Sequence, residues 1–403
     1  MHENLFSFPS TLARYRSAPL LCQRESFLQR CAEQGYSRSE LGKIAWLLRI
    51  VAQSQVTSKR IVSPEDLDQM TRPYCRSTRP VLIHVAKQWF AFMGVPLIEV
   101  LPEHLFSGEL ATFETFMRED RGLSPVTIQT RREQLRPFFE RLNSQRVRSL
   151  KQITLRLIDQ YFIEQSQHGW SRASLATLAA TLRSFFYYAE SQGWCRAGLA
   201  AALDAPRLYA QEGLPRGPDW KQVKALLGRI RGDDPVSIRD RAIVMLLAIY
   251  GLRRAEVAAL RLEDLDFEYE LIRITRPKQR RTQQYPLIGV VGDALLRYLQ
   301  HARPRCAHRS VFLTIKAPPR PLSASSISAL VRWRLRAMGV QGIPCGAHGL
   351  RHACARHLLA KGFSFKQVGD QLGHRRASST SFYAKVDLKG LRDVAEISLG
   401  RLL

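Results

Sequence analysis

A segment rich in proline and glycine separates two regions of the chain in which apolar residues recur at helical spacing. Residues 205–218 lack any such repeat, and their helix-breaking residues are Pro206, Gly213, Pro215, Gly217 and Pro218. Because proline lacks a backbone donor and glycine disfavours ordered helix, this composition favours a linker. The chain of 403 residues is long enough for several domains. We therefore predict a linker at residues 206–218, with a separately folded region on each side.

Residues 1–105 are predicted to form a helical N-terminal accessory domain. Ser37-x-x-Glu40 has the form of a capping box, in which each side chain satisfies the other residue's exposed backbone amide. One helical face after it carries Leu41, Ile44, Ala45, Leu48 and Val51. A second apolar helix is predicted at about residues 81–93. No residue pattern in this region indicates a reaction.

Residues 106–205 are predicted to form a compact helical bundle. Ser124 can cap a helix whose first residue is Pro125, which has no backbone N–H to leave unpaired. A later helix is predicted at about residues 172–192. Its inward side would carry Leu175, Leu178, Leu182, Phe185, Phe186 and Ala189. We interpret the phenylalanines of these helices, Phe138, Phe139, Phe185 and Phe186, as core.

Residues 219–403 are predicted to be mostly helical, with two short strands. An apolar stretch at residues 242–252 predicts a buried helix, and strands near residues 271–275 and 284–288 flank a basic turn that contains Lys278. After residue 383, an amphipathic stripe consists of Leu391, Val394, Ala395, Leu399 and Leu402. The predicted fold class is therefore mainly α, with a small β-hairpin or sheet in the C-terminal region.

The charge of the chain indicates a polyanionic partner. Lys and Arg number 61 against 35 Asp and Glu, which gives a formal net charge of +26. Neutralising backbone phosphates releases counterions, so nucleic acid is the polyanion that this charge favours. A membrane surface would also attract it, but the sequence shows no signal peptide and no run of about 18 apolar residues.

The cysteines give no sign of a disulfide framework or of a metal site. The chain has 7 of them, dispersed without a Cys-x-x-Cys pair, which predicts reduced thiols and a cytoplasmic protein. A zinc site built from Cys306-x-His308 and Cys345-x-x-His348 would fit no common zinc spacing. We predict neither a metal nor a cofactor.

Six polar side chains in the C-terminal region suit one reaction, the attack of a tyrosine hydroxyl on a phosphodiester. They are Arg253, Lys278, His348, Arg351, His374 and Tyr383. A phosphodiester under attack gains negative charge on its non-bridging oxygens, which the parallel donors of a guanidinium match well. Two arginines can therefore bind one phosphate, and a lysine in a cationic pocket can protonate the leaving sugar oxygen. The tyrosine needs a nearby base, for which His348 is the candidate, while His374 can donate to the phosphate.

The order and spacing of these residues carry a resemblance to a known family. The motifs are Gly251-Leu252-Arg253-x-x-Glu256, Lys278 eight residues before Pro286, His348-x-x-Arg351-His352, Leu372-Gly373-His374 and Ser381-Phe382-Tyr383. Together they resemble the tyrosine recombinase (phage integrase) family over roughly residues 110–403. Glu256 is similar to the acidic partner of the family's first arginine. Arg254 adds a second charge beside Arg253, so the choice of Arg253 rests on the family spacing.

The resemblance implies a mechanism and an architecture. Tyr383 would form a 3′-phosphotyrosyl link while a 5′-hydroxyl leaves, and the chain would break and rejoin double-stranded DNA at a specific site to integrate, excise or resolve a mobile element. A helical core-binding (SAM-like) domain at residues 106–205 and a catalytic domain at 219–403 would form a clamp on DNA. The family also implies a homotetramer on DNA, or a mixed assembly with related recombinases, in which the C-terminal segment docks on a neighbour.

Candidate DNA contacts lie on the outer helix faces of the core-binding region and in the basic turn. They are Arg131, Arg132, Arg172, Arg183, Arg280 and Arg281. The alternative for such residues is a solvated surface without a partner.

Three other functions share some of these features. A type IB topoisomerase shares much of the chemistry but relaxes DNA as a monomer without paired sites. A catalytically silent DNA-binding regulator could keep the fold, although the complete set of six residues argues against it. A DNA-coating protein would explain the charge but would have no use for the histidines and the tyrosine in this order.

Overall fold

A computed structural model of the chain describes residues 5, 8–97, 105–207, 217–276, 281–340 and 346–373. These ranges hold seventeen α-helices and one three-stranded sheet. Lys278, Arg280, His374, Tyr383 and the predicted stripe at residues 391–402 lie outside the described residues, as does the side chain of Arg281. Within the described ranges, no helix combines the length and apolar character needed to cross a bilayer.

The chain divides into two compact units. The smaller unit comprises Ile61–Asp66 and Leu97–Glu212, and the larger unit comprises Met1–Arg60, Leu67–Pro96 and Gly213–Leu403. Most of the N-terminal helical region therefore shares a unit with the C-terminal region that carries the candidate site.

Five helices form the N-terminal region: α1 (Pro9–Arg16), α2 (Leu21–Glu33), α3 (Arg38–Ala52), α4 (Pro64–Thr71) and α5 (Arg79–Phe92). The predicted capping box starts α3, where Glu40 accepts from the backbone N–H of Ser37 at 3.0 Å and donates its own N–H to the Ser37 hydroxyl at 3.3 Å. The predicted apolar face of α3 is buried at all its positions. Helix α5 begins two residues before the predicted start, since Pro80 is readily accommodated in a first helical turn.

The smaller unit contains α6 (Ser107–Glu119), α7 (Pro125–Ser144), α8 (Leu155–Gln167), α9 (Arg172–Ser191) and the short α10 (Leu199–Ala202). Ser124 caps α7 as predicted, because its hydroxyl accepts from the backbone N–H of Thr127 at 3.3 Å. The core is aromatic, and its fully buried phenylalanines are Phe106, Phe113, Phe138, Phe139, Phe185 and Phe186. This confirms the interpretation of Phe138, Phe139, Phe185 and Phe186 as core.

The C-terminal part of the larger unit is also mainly helical. Its helices are α11 (Trp220–Arg229), α12 (Pro235–Ile249), α13 (Arg254–Ala259), α14 (Gly289–His301), α15 (Ala324–Arg336), α16 (Ala347–Ala360) and α17 (Phe365–Leu372). Helix α12 is buried along most of its length, as its apolar sequence predicts. The predicted apolar stretch outlasts the helix, because Gly251 adopts φ +63° and turns the chain away from the helical path.

A three-stranded antiparallel sheet lies between α13 and α14, with strands β1 (Leu265–Asp266), β2 (Leu271–Arg276) and β3 (Arg281–Pro286) in that order. Strand β3 begins three residues before the predicted start and ends two residues before the predicted end. The reason is the pairing of β2 with β3, which aligns Leu271 with Pro286 and Arg276 with Arg281. All six residues of β2 thus have partners on β3. The fold class, mainly α with a small antiparallel sheet, is confirmed.

Candidate active site

The first arginine of the set starts a helix next to a glycine turn. Arg253 occupies the N-cap position of α13, and its backbone N–H donates to Glu256 Oε2 at 2.8 Å. The Arg253 guanidinium donates to the other carboxylate oxygen, Oε1, also at 2.8 Å. Glu256 is buried, whereas the Arg253 side chain is 39% exposed. The carboxylate thus fixes both ends of Arg253 while the guanidinium stays accessible.

Helix α16 carries two further residues of the set on one face. His348 and Arg351 are three residues apart, so their side chains are neighbours on the helix. Arg351 is buried and donates from Nη1 to the carbonyl oxygen of Gly251 at 2.6 Å and from Nη2 to that of Leu372 at 2.8 Å. Arg351 therefore joins the turn before Arg253 to the last residue of α17.

Gly251 has no room for a side chain at this junction. A Cβ there would overlap the Leu372 side chain and would press on the Cys354 sulfur. Its positive φ is also a conformation that other residues rarely adopt. Glycine at this position lets α17 approach the turn closely enough for Arg351 to reach both carbonyls.

The pKa of His348 is lowered from its ordinary value. The side chain is exposed to solvent on one side, but the surrounding protein still desolvates the ring, and this is the largest cause. The positive charges of Arg351, Arg253 and Arg254 add to the effect in that order. The ring of His352 lies edge-on to it, with the two centroids 4.2 Å apart. His348 is thereby favoured in its neutral form near pH 7, the form that can accept a proton.

A buried arginine that the sequence reasoning missed lies at the centre of the cluster. Arg276 ends β2 and donates from Nη1 to Glu256 Oε1 at 3.3 Å and to the carbonyl oxygen of Leu372 at 2.7 Å. Its Nη2 donates to the hydroxyl of Tyr285 on β3. A signal for it exists in the sequence, because Ile272 and Ile274 share the buried face of β2 and the period of two puts Arg276 on that face.

The structure thus brings together three of the six predicted catalytic residues, Arg253, His348 and Arg351, and the predicted partner Glu256. The other three lie outside the described residues, but the chain that flanks two of them is described. Arg276 stands two positions before Lys278, and Leu372 stands two positions before His374. Because Arg276 donates to the Leu372 carbonyl, both flanks meet at the same cluster.

Three of the predicted DNA-contacting arginines in the smaller unit have protein partners. Arg131 donates to the Ser184 hydroxyl at 2.9 Å, Arg132 lies 3.3 Å from the Glu114 carboxylate, and Arg183 donates to the carbonyl oxygen of Leu203. Arg172 is exposed at the start of α9. The spacing of residues along a helix could not show that Arg131, Arg132 and Arg183 each join two parts of the unit.

Comparison with known proteins assigns the chain to a family. The model of the phage integrase family matches residues 219–389, and that of the phage integrase N-terminal SAM-like domain matches residues 110–193. A putative integrase/recombinase of Sinorhizobium fredii, y4rF, is 30% identical over 98% of this chain and 95% of its own length. The chain belongs to the tyrosine recombinase (phage integrase) family. Membership places it among enzymes of DNA strand exchange and site-specific recombination.

Other members of the family match a shorter part of the chain. A second Sinorhizobium fredii protein, putative integrase/recombinase y4rA, is 36% identical over 70% of this chain and 69% of its own length. The tyrosine recombinase XerD of Halalkalibacterium halodurans is 28% identical over 72% of this chain and 96% of its own length.

Solved structures of recombinases share the fold. The XerH site-specific recombinase in a post-cleavage complex with difH substrate has a TM-score of 0.57 at 20% identity, covering 72% of this chain and 84% of that one. A lambda integrase tetramer bound to a Holliday junction has a TM-score of 0.53 at 18% identity, covering 68% of this chain and 76% of the other.

Proposed function

We propose that this recombinase cleaves and rejoins DNA at a specific site through a covalent 3′-phosphotyrosyl intermediate on Tyr383. The observation that carries the proposal is the cluster of Arg253, His348 and Arg351 around buried partners. Cationic donors and a neutral histidine in one place suit a phosphodiester that gains negative charge during attack by a hydroxyl. The family model spans Lys278, His374 and Tyr383 as well, which supports their inclusion in the site.

Each residue of the set has a defined role in the proposed reaction. The Tyr383 oxygen bonds to phosphorus and passes its proton to His348, while the bond from phosphorus to the 5′ oxygen breaks. Lys278 gives a proton to this leaving oxygen. Arg253, Arg351 and His374 donate to the non-bridging oxygens as their charge grows. The 5′-hydroxyl of a partner strand then reverses the steps.

The covalent link retains the energy of the broken bond, so no ATP is required in this scheme. No metal ion is required either, because the arginines, histidines and lysine supply the positive charge and the proton transfers. The reaction is completed by a second cleaved strand, which supports an assembly of several subunits on double-stranded DNA. The lambda integrase tetramer on a Holliday junction offers a precedent for such an assembly within this fold. We propose the same arrangement here, as a homotetramer or with related recombinases, in the movement of a mobile element.

We propose that residues of each unit contact DNA. The core-binding unit would contact the duplex through arginines of its outer faces, among which Arg172 is exposed. Arg280 and Arg281 would contact DNA from the catalytic region. The net charge of +26 supports strong, salt-dependent binding to a duplex.

Covalent trapping tests the proposal and identifies the target site in the same experiment. Purified protein is incubated with fragmented genomic DNA of its source in EDTA, denatured in detergent, and the DNA that remains bound to protein is sequenced. Wild type is expected to retain fragments that end at one common sequence through a 3′ link. Tyr383→Phe is expected to retain none, while the matched variant Tyr269→Phe, whose side chain is 69% exposed, behaves as wild type.

Two results would contradict the proposal. Equal retention by Tyr383→Phe would mean that another residue forms the link, and retention of fragments without a common end would favour a topoisomerase.

A further inference from the structure

Arg276 is a charged residue in a position that normally holds an apolar one. It is 2% exposed, and it follows Ile272 and Ile274 on the buried face of β2. A buried charge is costly unless it is paired and hydrogen-bonded. Its presence at this point therefore needs a reason beyond filling the core.

The contacts of Arg276 reach three separate segments of the chain. It pairs with the buried carboxylate of Glu256, which itself holds Arg253. It donates to the hydroxyl of Tyr285, and that hydroxyl donates to the carbonyl oxygen of Gln371 at 2.7 Å. It also donates directly to the carbonyl oxygen of Leu372. Two consecutive carbonyls at the end of α17 are thus held by this side chain, one directly and one through Tyr285.

The end of α17 is adapted to receive the guanidinium. The last carbonyls of a helix lack helical partners and carry partial negative charge, so cations stabilise this end. Gly373 ends the helix with φ +64°, and a Cβ at this position would overlap the Arg276 guanidinium. The guanidinium therefore lies directly against the backbone of the residue that precedes His374.

Arg351 donates to the same carbonyl of Leu372. Arg276 on β2 and Arg351 on α16 thus both donate to the carbonyl oxygen of Leu372. Lys278 follows Arg276 by two positions, and His374 follows Leu372 by two. A shift of the Arg276 side chain would therefore move the described chain from which both segments continue.

We propose that Arg276 is a positioning residue of the recombination reaction, one that sets the places of Arg253 and of the end of α17 without contacting DNA. The inference rests on the function proposed above. Displacement of reacting groups by about 1 Å can lower a rate by about 100-fold. We therefore expect loss of cleavage rate with retention of DNA affinity.

The test uses the full-length protein and a nicked suicide duplex that carries the sequence recovered by covalent trapping. Single-turnover formation of the covalent complex and equilibrium binding of the duplex are measured for each variant. Arg276→Met should lower the rate by about 100-fold or more and change the dissociation constant by less than about threefold. Arg276→Lys, which keeps the charge near Glu256, should recover part of the rate.

Arg334→Lys is the matched control. Arg334 also pairs with a buried carboxylate, that of Asp240 at 2.7 Å, but it joins α15 to α12. We expect its cleavage rate to stay within about threefold of wild type. If Arg276→Met fails to fold, Tyr285→Phe decides, because it removes one hydroxyl from the same cluster and should slow cleavage by about tenfold at unchanged affinity.

The outcomes separate this inference from the proposed function. Absence of any covalent complex with wild type would refute the function itself. With an active wild type, a folded Arg276→Met variant that cleaves at the wild-type rate would refute the positioning role. A parallel loss of rate and affinity would also refute it, since it would indicate a direct contact with DNA.

Discussion

Replacement of Glu256 by glutamine tests whether a single buried carboxylate holds the cluster together. Glu256 accepts from the Arg253 backbone and from the guanidiniums of Arg253 and Arg276. A glutamine keeps the shape of the side chain but has one acceptor oxygen and an amide that donates. In either orientation its NH₂ group faces N–H donors. The substitution therefore removes a charge and creates an unfavourable contact at constant volume.

The expected loss in the free energy of unfolding follows from the burial of the two paired side chains. The side chains of Glu256 and Arg276 are each 3% exposed, and loss of one member of a buried pair costs about 3–5 kcal/mol. The Arg253 side chain is 39% exposed, so its ion pair adds at most about 1 kcal/mol. Arg276 keeps two other acceptors, Leu372 and Tyr285, which places the expected loss near the lower end, about 3 kcal/mol.

Urea denaturation followed by tryptophan fluorescence measures this loss. With a slope of about 3 kcal/mol per molar urea, a loss of about 3 kcal/mol moves the midpoint down by about 1 M. Glu263→Gln is the matched control, because Glu263 also accepts from two arginines, Arg309 at 2.7 Å and Arg261 at 3.4 Å, but on the surface. We expect its midpoint to match wild type. Equal midpoints for both variants would refute the claim that the buried carboxylate stabilises the site.

Two further predictions concern the histidine and the smaller unit. The charge of Arg254 lowers the pKa of His348, so Arg254→Gln should raise that pKa and keep the histidine protonated to higher pH. The acidic limb of the pH profile of single-turnover cleavage should then move to higher pH in Arg254→Gln and stay in place in Arg254→Lys. An unmoved limb in Arg254→Gln would contradict His348 as the base. Phe185 is fully buried against other rings, so Phe185→Ala should lower the free energy of unfolding by about 3–5 kcal/mol in urea titrations. Tyr187→Ala, at a side chain 71% exposed, should leave the free energy of unfolding unchanged. An unchanged free energy of unfolding in Phe185→Ala would contradict the aromatic core.

Local rules in the sequence were sufficient for the starts of two helices. Ser37 and Ser124 cap the helices that they were expected to cap, because a side-chain hydroxyl and the first free amides of a helix are only three residues apart. The start of β3 was placed too late, because that boundary depends on which residues of β2 lie opposite. Pairing between strands is not encoded in the composition of either strand alone.

The candidate site was predictable at the level of residue types and only partly at the level of contacts. The spacing of Arg253, His348 and Arg351 identified them, and the fold brings them together. The role of Arg276 does not follow from local sequence, because one of its acceptors, Leu372, is 96 positions away in the chain. Its burial could have been inferred from the alternation along β2, but its partners could not.

Backbone carbonyl oxygens of Leu372 and Gly251 accept from the buried arginines of the site. Arg253, Arg254 and Arg351 all lower the pKa of His348, and Arg276 lies beside Arg253 at the shared carboxylate of Glu256. Like charges this close repel one another, and backbone carbonyls at the end of α17 and at Gly251 offset part of that repulsion. Carbonyl dipoles stabilise the arginines without neutralising them, so the positive potential remains available to a phosphate whose charge increases during the reaction. Had further carboxylates replaced these carbonyls, the cluster would be more stable in isolation but less able to stabilise that charge.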